Sequence, residues 1–459
     1  MKNPQRLPDL SRRTFLKGSS FSTLMSMLGG VPLVAQEKSA DPAAANVGKP
    51  IGRPVNCGLI GLGPWGREIL ATLSKIPEAH IVAICDTYAP MLRRGQQTAP
   101  KATATDDYKA VLQNKEVEAV FIATPTHQHR EITLAALKAG KHVYCEAPLA
   151  HTIDDARAIA LAAKASFKSV FQSGLQARSH PQRHFLLQFI RSGAMGKPVM
   201  ARAQWHRKQS WRFTSPNPER EKEVNWRLSR KTSPGLIGEV GIHQLDAATW
   251  FLDQRPQAVT GFGSLIKWTE DNRDVPDTIQ AVLEYPQGVQ LTYDSTLANS
   301  FESDYEVYYG TDSAIMVRDN KAWMFKEVDA PLLGWEVYAR KDSFYKETGI
   351  ALVANASKLE AQGEGGAEDT AAATNALSFA LEAFLGNAGK VATAVKDFKE
   401  NFGEDDEALK EHLADLRKGR LPAAGYQEGF DSVVIALKAN EAILEKKRIV
   451  FQQEWFDLG

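Results

Sequence analysis

From residue 55 onward, short apolar runs alternate with stretches whose apolar residues recur at helical spacing. The runs 55–60, 81–85, 119–123 and 142–145 are bounded by Gly, Asp or Pro, and helical-period segments such as 67–73 and 131–138 lie between them. Fully apolar runs alternating with helices predict an α/β doubly wound parallel sheet. A further strand over 169–172 follows a helix over 153–165, so this first domain is expected over 54–175.

The texture then changes. Runs 199–205, 258–267, 277–285, 288–295, 304–309 and 314–325 alternate apolar and polar residues, which predicts a large, mostly antiparallel open sheet. One face of such a sheet is left for solvent or for homo-oligomerisation. A helix over 239–252 interrupts the sheet, 361–372 reads as a surface loop, and 375–446 reads as helices that pack back on the first domain. The second, α+β domain is expected over 176–459. No internal repeat or heptad run is present.

Composition narrows the classes. A chain of 459 residues exceeds the roughly 150 residues of one typical domain. With 43% hydrophobic and 24% charged residues it has enough apolar side chains for sizeable cores, which excludes disorder. Lys plus Arg and Asp plus Glu both number 55, so no field of one sign exists to gather phosphates, and nucleic acid is excluded as a partner. Cys57, Cys85 and Cys145 each fall in a predicted strand and read as core thiols.

The N-terminus suggests a destination. Ser11-Arg12-Arg13-Thr14-Phe15-Leu16-Lys17 precedes an uncharged stretch over 18–35 and an Ala- and Pro-rich linker, the pattern of a twin-arginine signal peptide over 1–45. Its partner is the twin-arginine export machinery and its destination the periplasm.

The first strand leads into chemistry. Gly61-Leu62-Gly63-Pro64-Trp65-Gly66 places G-x-G-x-x-G between a strand and a helix, where a pyrophosphate meets the positive helix end. Asp86 follows about 20 residues after Gly66, at the end of the second strand, where a carboxylate accepts the adenosine ribose hydroxyls. Pro64 and Trp65 share the loop. Together these read as a dinucleotide site. The charge of Asp86 repels a 2′-phosphate and favours NAD over NADP, while Arg93 and Arg94 keep NADP as the alternative.

With Thr124-Pro125 and His129, Gly140-Lys141-His142-Val143, Glu146-Ala147-Pro148, and Gly241-Ile242-His243 with Asp246, this loop resembles the Gfo/Idh/MocA oxidoreductases. The resemblance covers 54–459 and implies NAD(P)-dependent oxidation at a carbohydrate or polyol hydroxyl. It implies that Thr124, Pro125, His129, Glu146 and Ala147 line the cofactor, and that His243, Glu239 and Asp246 face the substrate. Two positions depart from the family pattern: Ala147 replaces a lysine, and Glu239 replaces an aspartate. His243 can act as the base without that lysine, with Glu239 one turn earlier to orient it or to hold a hydroxyl.

Trp226 and Arg227, in a cluster with Trp205, His206, Arg207, Trp211 and Arg212, combine aromatic faces with fork donors suited to sugar rings, and Arg178 is a similar candidate. His127-x-His129 lacks a third metal ligand, so it is assigned to the cofactor loop and no metal is expected. Export without a free NAD pool favours a bound, recycled cofactor. The alternatives are an NAD-dependent glycosidase working by transient sugar oxidation and, from the loss of the lysine, a non-catalytic sugar or cofactor binder.

Overall fold

The computed structural model describes residues 52–318, 321–333, 336, 341–344, 347–352 and 375–459, so the export signal expected over 1–45 and the loop expected over 361–372 lie outside the described residues. Six parallel strands form the first sheet: β1 (Val55–Ile60), β2 (Ala79–Cys85), β3 (Thr103–Thr105), β4 (Ala119–Ile122), β5 (His142–Cys145) and β6 (Phe171–Ser173), in the order β3-β2-β1-β4-β5-β6. The connections are α1 (Pro64–Leu73), α2 (Ala89–Thr98), α3 (Tyr108–Gln113), α4 (His129–Lys138) and α5 (Ile153–Ala165). Every residue of β4 and β5 is buried, which is why these short strands read as unbroken apolar runs. The pattern does not predict β3, because a three-residue edge strand of Thr-Ala-Thr carries no apolar periodicity.

The order reverses direction between β1 and β4. Ligands of such sheets bind outside the carboxyl ends of the strands at that point.

After α6 (Pro181–Arg191), β7 (Pro198–His206), α7 (Pro218–Val224) and α8 (Ile242–Leu252), a second sheet is completed by β8 (Ala258–Ser264), β9 (Thr278–Glu284), β10 (Gln290–Thr296), β11 (Asp304–Gly310), β12 (Ser313–Arg318), β13 (Lys321–Lys326), β14 (Lys341–Phe344) and β15 (Glu347–Leu352). With a short β16 (Ile449–Val450) the order is β14-β15-β13-β12-β11-β7-β10-β9-β8-β16, antiparallel except where β7 and β10 run parallel. The run 314–325 is two strands rather than one: β12 and β13 pair from Ser313 with Lys326 to Arg318 with Lys321, and the four consecutive polar residues Arg318-Asp319-Asn320-Lys321 interrupt the alternation between them.

The C-terminal segment forms α9 (Ala376–Phe402), α10 (Asp406–Arg417) and α11 (Tyr426–Glu445). The acidic residues before α10 cap it, Asp405 accepting the N–H groups of Glu407 and Ala408. α9 covers one face of the first sheet, its Phe384 ring 5.1 Å from Phe121 and 5.8 Å from Tyr144. α11 lies between the sheets. A side chain at Gly429 would crowd Leu149 and Ser173 of the first lobe, and the Ile443 side chain packs over Gly261 and Gly263 of β8. The second lobe is thereby fixed over the carboxyl ends of the parallel strands.

Candidate active site

The β1–α1 loop has the shape of a phosphate cradle. Gly61 has φ +96°, and a Cβ there would strike the Ala123 backbone. A Cβ on Gly66 would overlap the Gly61 carbonyl oxygen, so α1 can start this close to β1 only without a side chain. At Gly63 nothing lies within 4 Å of the Cβ position, and Pro64 and Trp65 beside it are exposed. Two glycines are consumed by packing and the third is open. That arrangement fits a pyrophosphate held against backbone N–H groups at the start of α1.

Asp86 is fixed at the end of β2 by the Leu62 N–H (2.8 Å) and the Tyr88 N–H (2.8 Å), leaving lone pairs for ribose hydroxyls. Asp86→Ala should weaken NAD binding by about 1–3 kcal/mol, roughly 5- to 150-fold in Kd, and narrow the preference over NADP. Fluorescence titration with NADH and NADPH checks both effects; an unchanged ratio of affinities means the carboxylate does not face the ribose. Arg93 and Arg94 are exposed on α2, and the cation that meets Asp86 is instead Arg220, whose Nη2 lies 3.9 Å from Oδ1.

At the carboxyl ends of β4 and β5 the lobes meet. The Thr126 hydroxyl, directly after Thr124-Pro125, donates to Glu239 (3.2 Å) in a π-helical turn over Ile237–Gly241 of the second lobe. Ser233 Oγ (3.1 Å) and Arg227 Nε (3.3 Å) also donate to this buried carboxylate. Burial raises the Glu239 carboxyl above its usual range, against the opposing pull of Arg227. The Arg227 guanidinium stacks 4.7 Å over Trp226 and 5.6 Å over Trp211, and the Trp226 ring stands 6.2 Å from that of His127. His243 is half-buried in the first turn of α8, and no described residue hydrogen-bonds its ring. Burial lowers its proton affinity, partly offset by Asp246, so the ring is a neutral base at pH 7.

Family models match both lobes. Residues 55–173 match an oxidoreductase family with an NAD-binding Rossmann fold, and 185–315 match the Gfo/Idh/MocA C-terminal domain. The chain belongs to the Gfo/Idh/MocA oxidoreductases. It is similar to 1,5-anhydro-D-fructose reductase of Ensifer adhaerens, 26% identical over 57% of this chain and 75% of that protein. Myo-inositol 2-dehydrogenase of Thermotoga maritima is 23% identical over 86% of this chain and 98% of its own. Levoglucosan dehydrogenase in complex with NADH and levoglucosan shares the fold with a TM-score of 0.64 and 18% identity, over 87% of this chain and 100% of that one.

As a Gfo/Idh/MocA oxidoreductase the chain binds NAD through the first lobe, and the structure gives several of the expected site residues partners within the protein. His129 is buried, its two ring nitrogens lying 3.0 Å from the Pro148 carbonyl and 2.9 Å from the Thr124 carbonyl. It therefore ties the loops after β4 and β5 together. Thr124 Oγ1 and Glu146 Oε1 are buried without a hydrogen-bond partner, as expected of groups that meet a ligand, and Pro125 and Ala147 are half-buried beside them.

Glu239 does not orient His243. The Glu239 carboxylate is taken up by Thr126, Ser233 and Arg227, and no hydrogen bond among the described residues joins it to the His243 ring. Arg178 and Asp246, both expected at the substrate, are paired with each other. Arg178 Nε and Nη2 donate to the 2%-exposed Asp246 carboxylate at 2.8–3.1 Å, and Ser432 of α11 adds a bond of 2.9 Å. Sequence reasoning missed Thr126 and Ser233; Thr126 adjoins a recognised motif, whereas nothing local marks Ser233.

Burial pushes the Glu146 carboxyl up to about 7 from 4.5, outweighing the Ala147 N–H that its Oε2 accepts at 3.3 Å. Between those values the folded chain holds a proton that the unfolded chain has lost, so stability falls as pH rises through that window, by about 3 kcal/mol at 1.36 kcal/mol per unit. Glu146→Gln should remove this slope. Urea midpoints at pH 5 and pH 7.5 measure it; equal pH dependence in both proteins would show that the carboxyl is solvated in the folded state.

Proposed function

We propose that this protein oxidises, or reversibly oxidises and reduces, a hydroxyl-bearing carbon of a carbohydrate or polyol, with His243 as the base. The observation that carries the reading is the Thr126–Glu239 bond, which brings the second lobe's polar cluster, and the α8 turn that holds His243, against the loop following β4 of the nucleotide lobe. NAD, when bound, supplies the hydride acceptor. A ring nitrogen of His243, neutral and without a hydrogen-bond partner among the described residues, takes the hydroxyl proton. The Glu239 carboxylate, held from three sides, anchors Arg227, whose remaining guanidinium N–H groups and flanking Trp211 and Trp226 faces suit neighbouring hydroxyls and the sugar ring. Ala147 brings no ammonium to this site, so the proton-accepting role falls on the histidine.

Residues 11–17 support export to the periplasm by the twin-arginine machinery, with NAD carried bound and recycled between oxidation and reduction. The exposed Val199, Met200 and Phe262 of the second sheet support homo-oligomerisation through it. The alanine at 147 keeps a binder that performs no chemistry as the rival reading.

The test is mass spectrometry of whatever the denatured protein releases, followed by incubation of the native protein with a panel of aldoses, polyols and glycosides. The expected result is released NAD(H) and an NAD-dependent change in at least one sugar. Binding without any change would favour the binder, and cleavage of a glycoside without net NADH would favour transient oxidation.

A further inference from the structure

We propose that Arg220 is a clasp on the dinucleotide, closing the ribose end of the cleft from the second lobe so that the cofactor stays bound between turnovers. This rests on the nucleotide assignment above. Arg220 belongs to α7, within the segment 207–225 that links β7 to Trp226. That segment is folded on itself: the Asn225 side chain accepts the Phe213 N–H (2.8 Å) and donates to the Phe213 carbonyl (2.8 Å), and Arg212 pairs with Glu221 at 3.0 Å. α7 buries none of its residues, so no apolar core anchors it to the first lobe. Arg220 nevertheless reaches that lobe. Its guanidinium stacks 4.7 Å over the Tyr88 ring and lies 3.9 Å from Asp86, while Glu223 of its own helix holds the other end at 3.1 Å. Only 19% of the side chain is exposed, on a helix that is otherwise turned to solvent.

The placement is what gives the contact meaning. Asp86 is the acceptor for the ribose hydroxyls, held rigidly by the Leu62 and Tyr88 N–H groups, and Arg220 lies across the same carboxylate. The ribose end of the cleft therefore has a wall from each lobe, and a nucleotide passes only when the segment 207–225 moves. A loose ion pair and one stack are individually weak, so the clasp can open. A guanidinium is permanently charged and planar, and it both pairs with anions and stacks on rings, so a bound nucleotide offers it more partners than Asp86 and Tyr88 alone. Such a contact acts mainly on the dissociation rate.

The experiment loads the purified protein with NADH and follows the loss of its bound-state fluorescence after mixing with excess NAD⁺, for wild type, Arg220→Ala and Arg220→Lys. Release from Arg220→Ala is expected to be about tenfold faster or more, with association changed less than about threefold, and Arg220→Lys is expected between the two. Arg220→Ala should also lose its nucleotide on dialysis, read by mass spectrometry of the denatured protein. Its nucleotide-free melting temperature should match wild type, because α7 buries no residue. Equal release rates from wild type and Arg220→Ala would overturn the clasp while leaving the nucleotide site intact. A wild type that binds no NADH would overturn both, so the two failures are distinguishable.

Discussion

His243→Ala should lower turnover on any sugar the native protein converts by about 10²–10⁴-fold, the range for loss of a positioned acid or base, with NADH affinity nearly intact. The selectivity follows from position. His243 stands at the first turn of α8, in the second lobe, whereas the glycine cradle and Asp86 belong to the first. Because burial lowers the proton affinity of His243, the acid limb of kcat/KM should lie below the ordinary histidine value of 6.5 and vanish in the variant. Steady-state kinetics across pH, with fluorescence titration of NADH alongside, measures both effects. Near wild-type turnover in His243→Ala would remove this residue from the chemistry, and Glu239, whose carboxyl is raised by burial, would become the candidate acid or base.

The division between what the chain declares locally and what it does not follows the range of the interaction. β1, β4, β5 and α5 are legible because each buries a continuous or periodic set of apolar residues, and the glycine loop because its constraint lies within six residues of chain. β3 is a three-residue edge strand that leaves no signal in the pattern, whereas the reversal between β12 and β13 is marked by the polar run Arg318-Asp319-Asn320-Lys321, which a reading of 314–325 as one alternating run passes over. In the cleft the difficulty is different. An i to i+4 spacing puts Glu239 and His243 on one face, but the Glu239 carboxylate is claimed by Thr126, Ser233 and Arg227 from outside that helix, and the spacing carries no sign of those partners. Arg220 and Asp86 are far apart in sequence and meet because α11 holds the second lobe over the first. A seven-residue helix of mostly charged residues carries no hint that one of them faces inward.

Asp246→Ala should destabilise the protein by about 3–5 kcal/mol, because it leaves the Arg178 guanidinium without its carboxylate in a site that is largely closed to water. Three elements converge on that carboxylate: the turn after β6 through Arg178, α8 through Asp246 itself, and α11 through Ser432. Burial alone would lower the proton affinity of Arg178, and the paired carboxylate raises it instead, the behaviour of an ion pair whose members depend on each other. The pair therefore pins the second lobe to the end of the last parallel strand. Replacing both members, Arg178→Met with Asp246→Leu, removes the charges together and should cost less than Asp246→Ala alone, since no unpaired charge is left behind. Urea denaturation of the two single variants and the double variant gives the coupling. The expectation fails if Asp246→Ala unfolds within about 1 kcal/mol of wild type while KM for the converted sugar rises more than about tenfold. That outcome would return Asp246 to the substrate-facing role that its position after Gly241-Ile242-His243 suggests from sequence, and would mean that Arg178 finds its partner in the bound sugar.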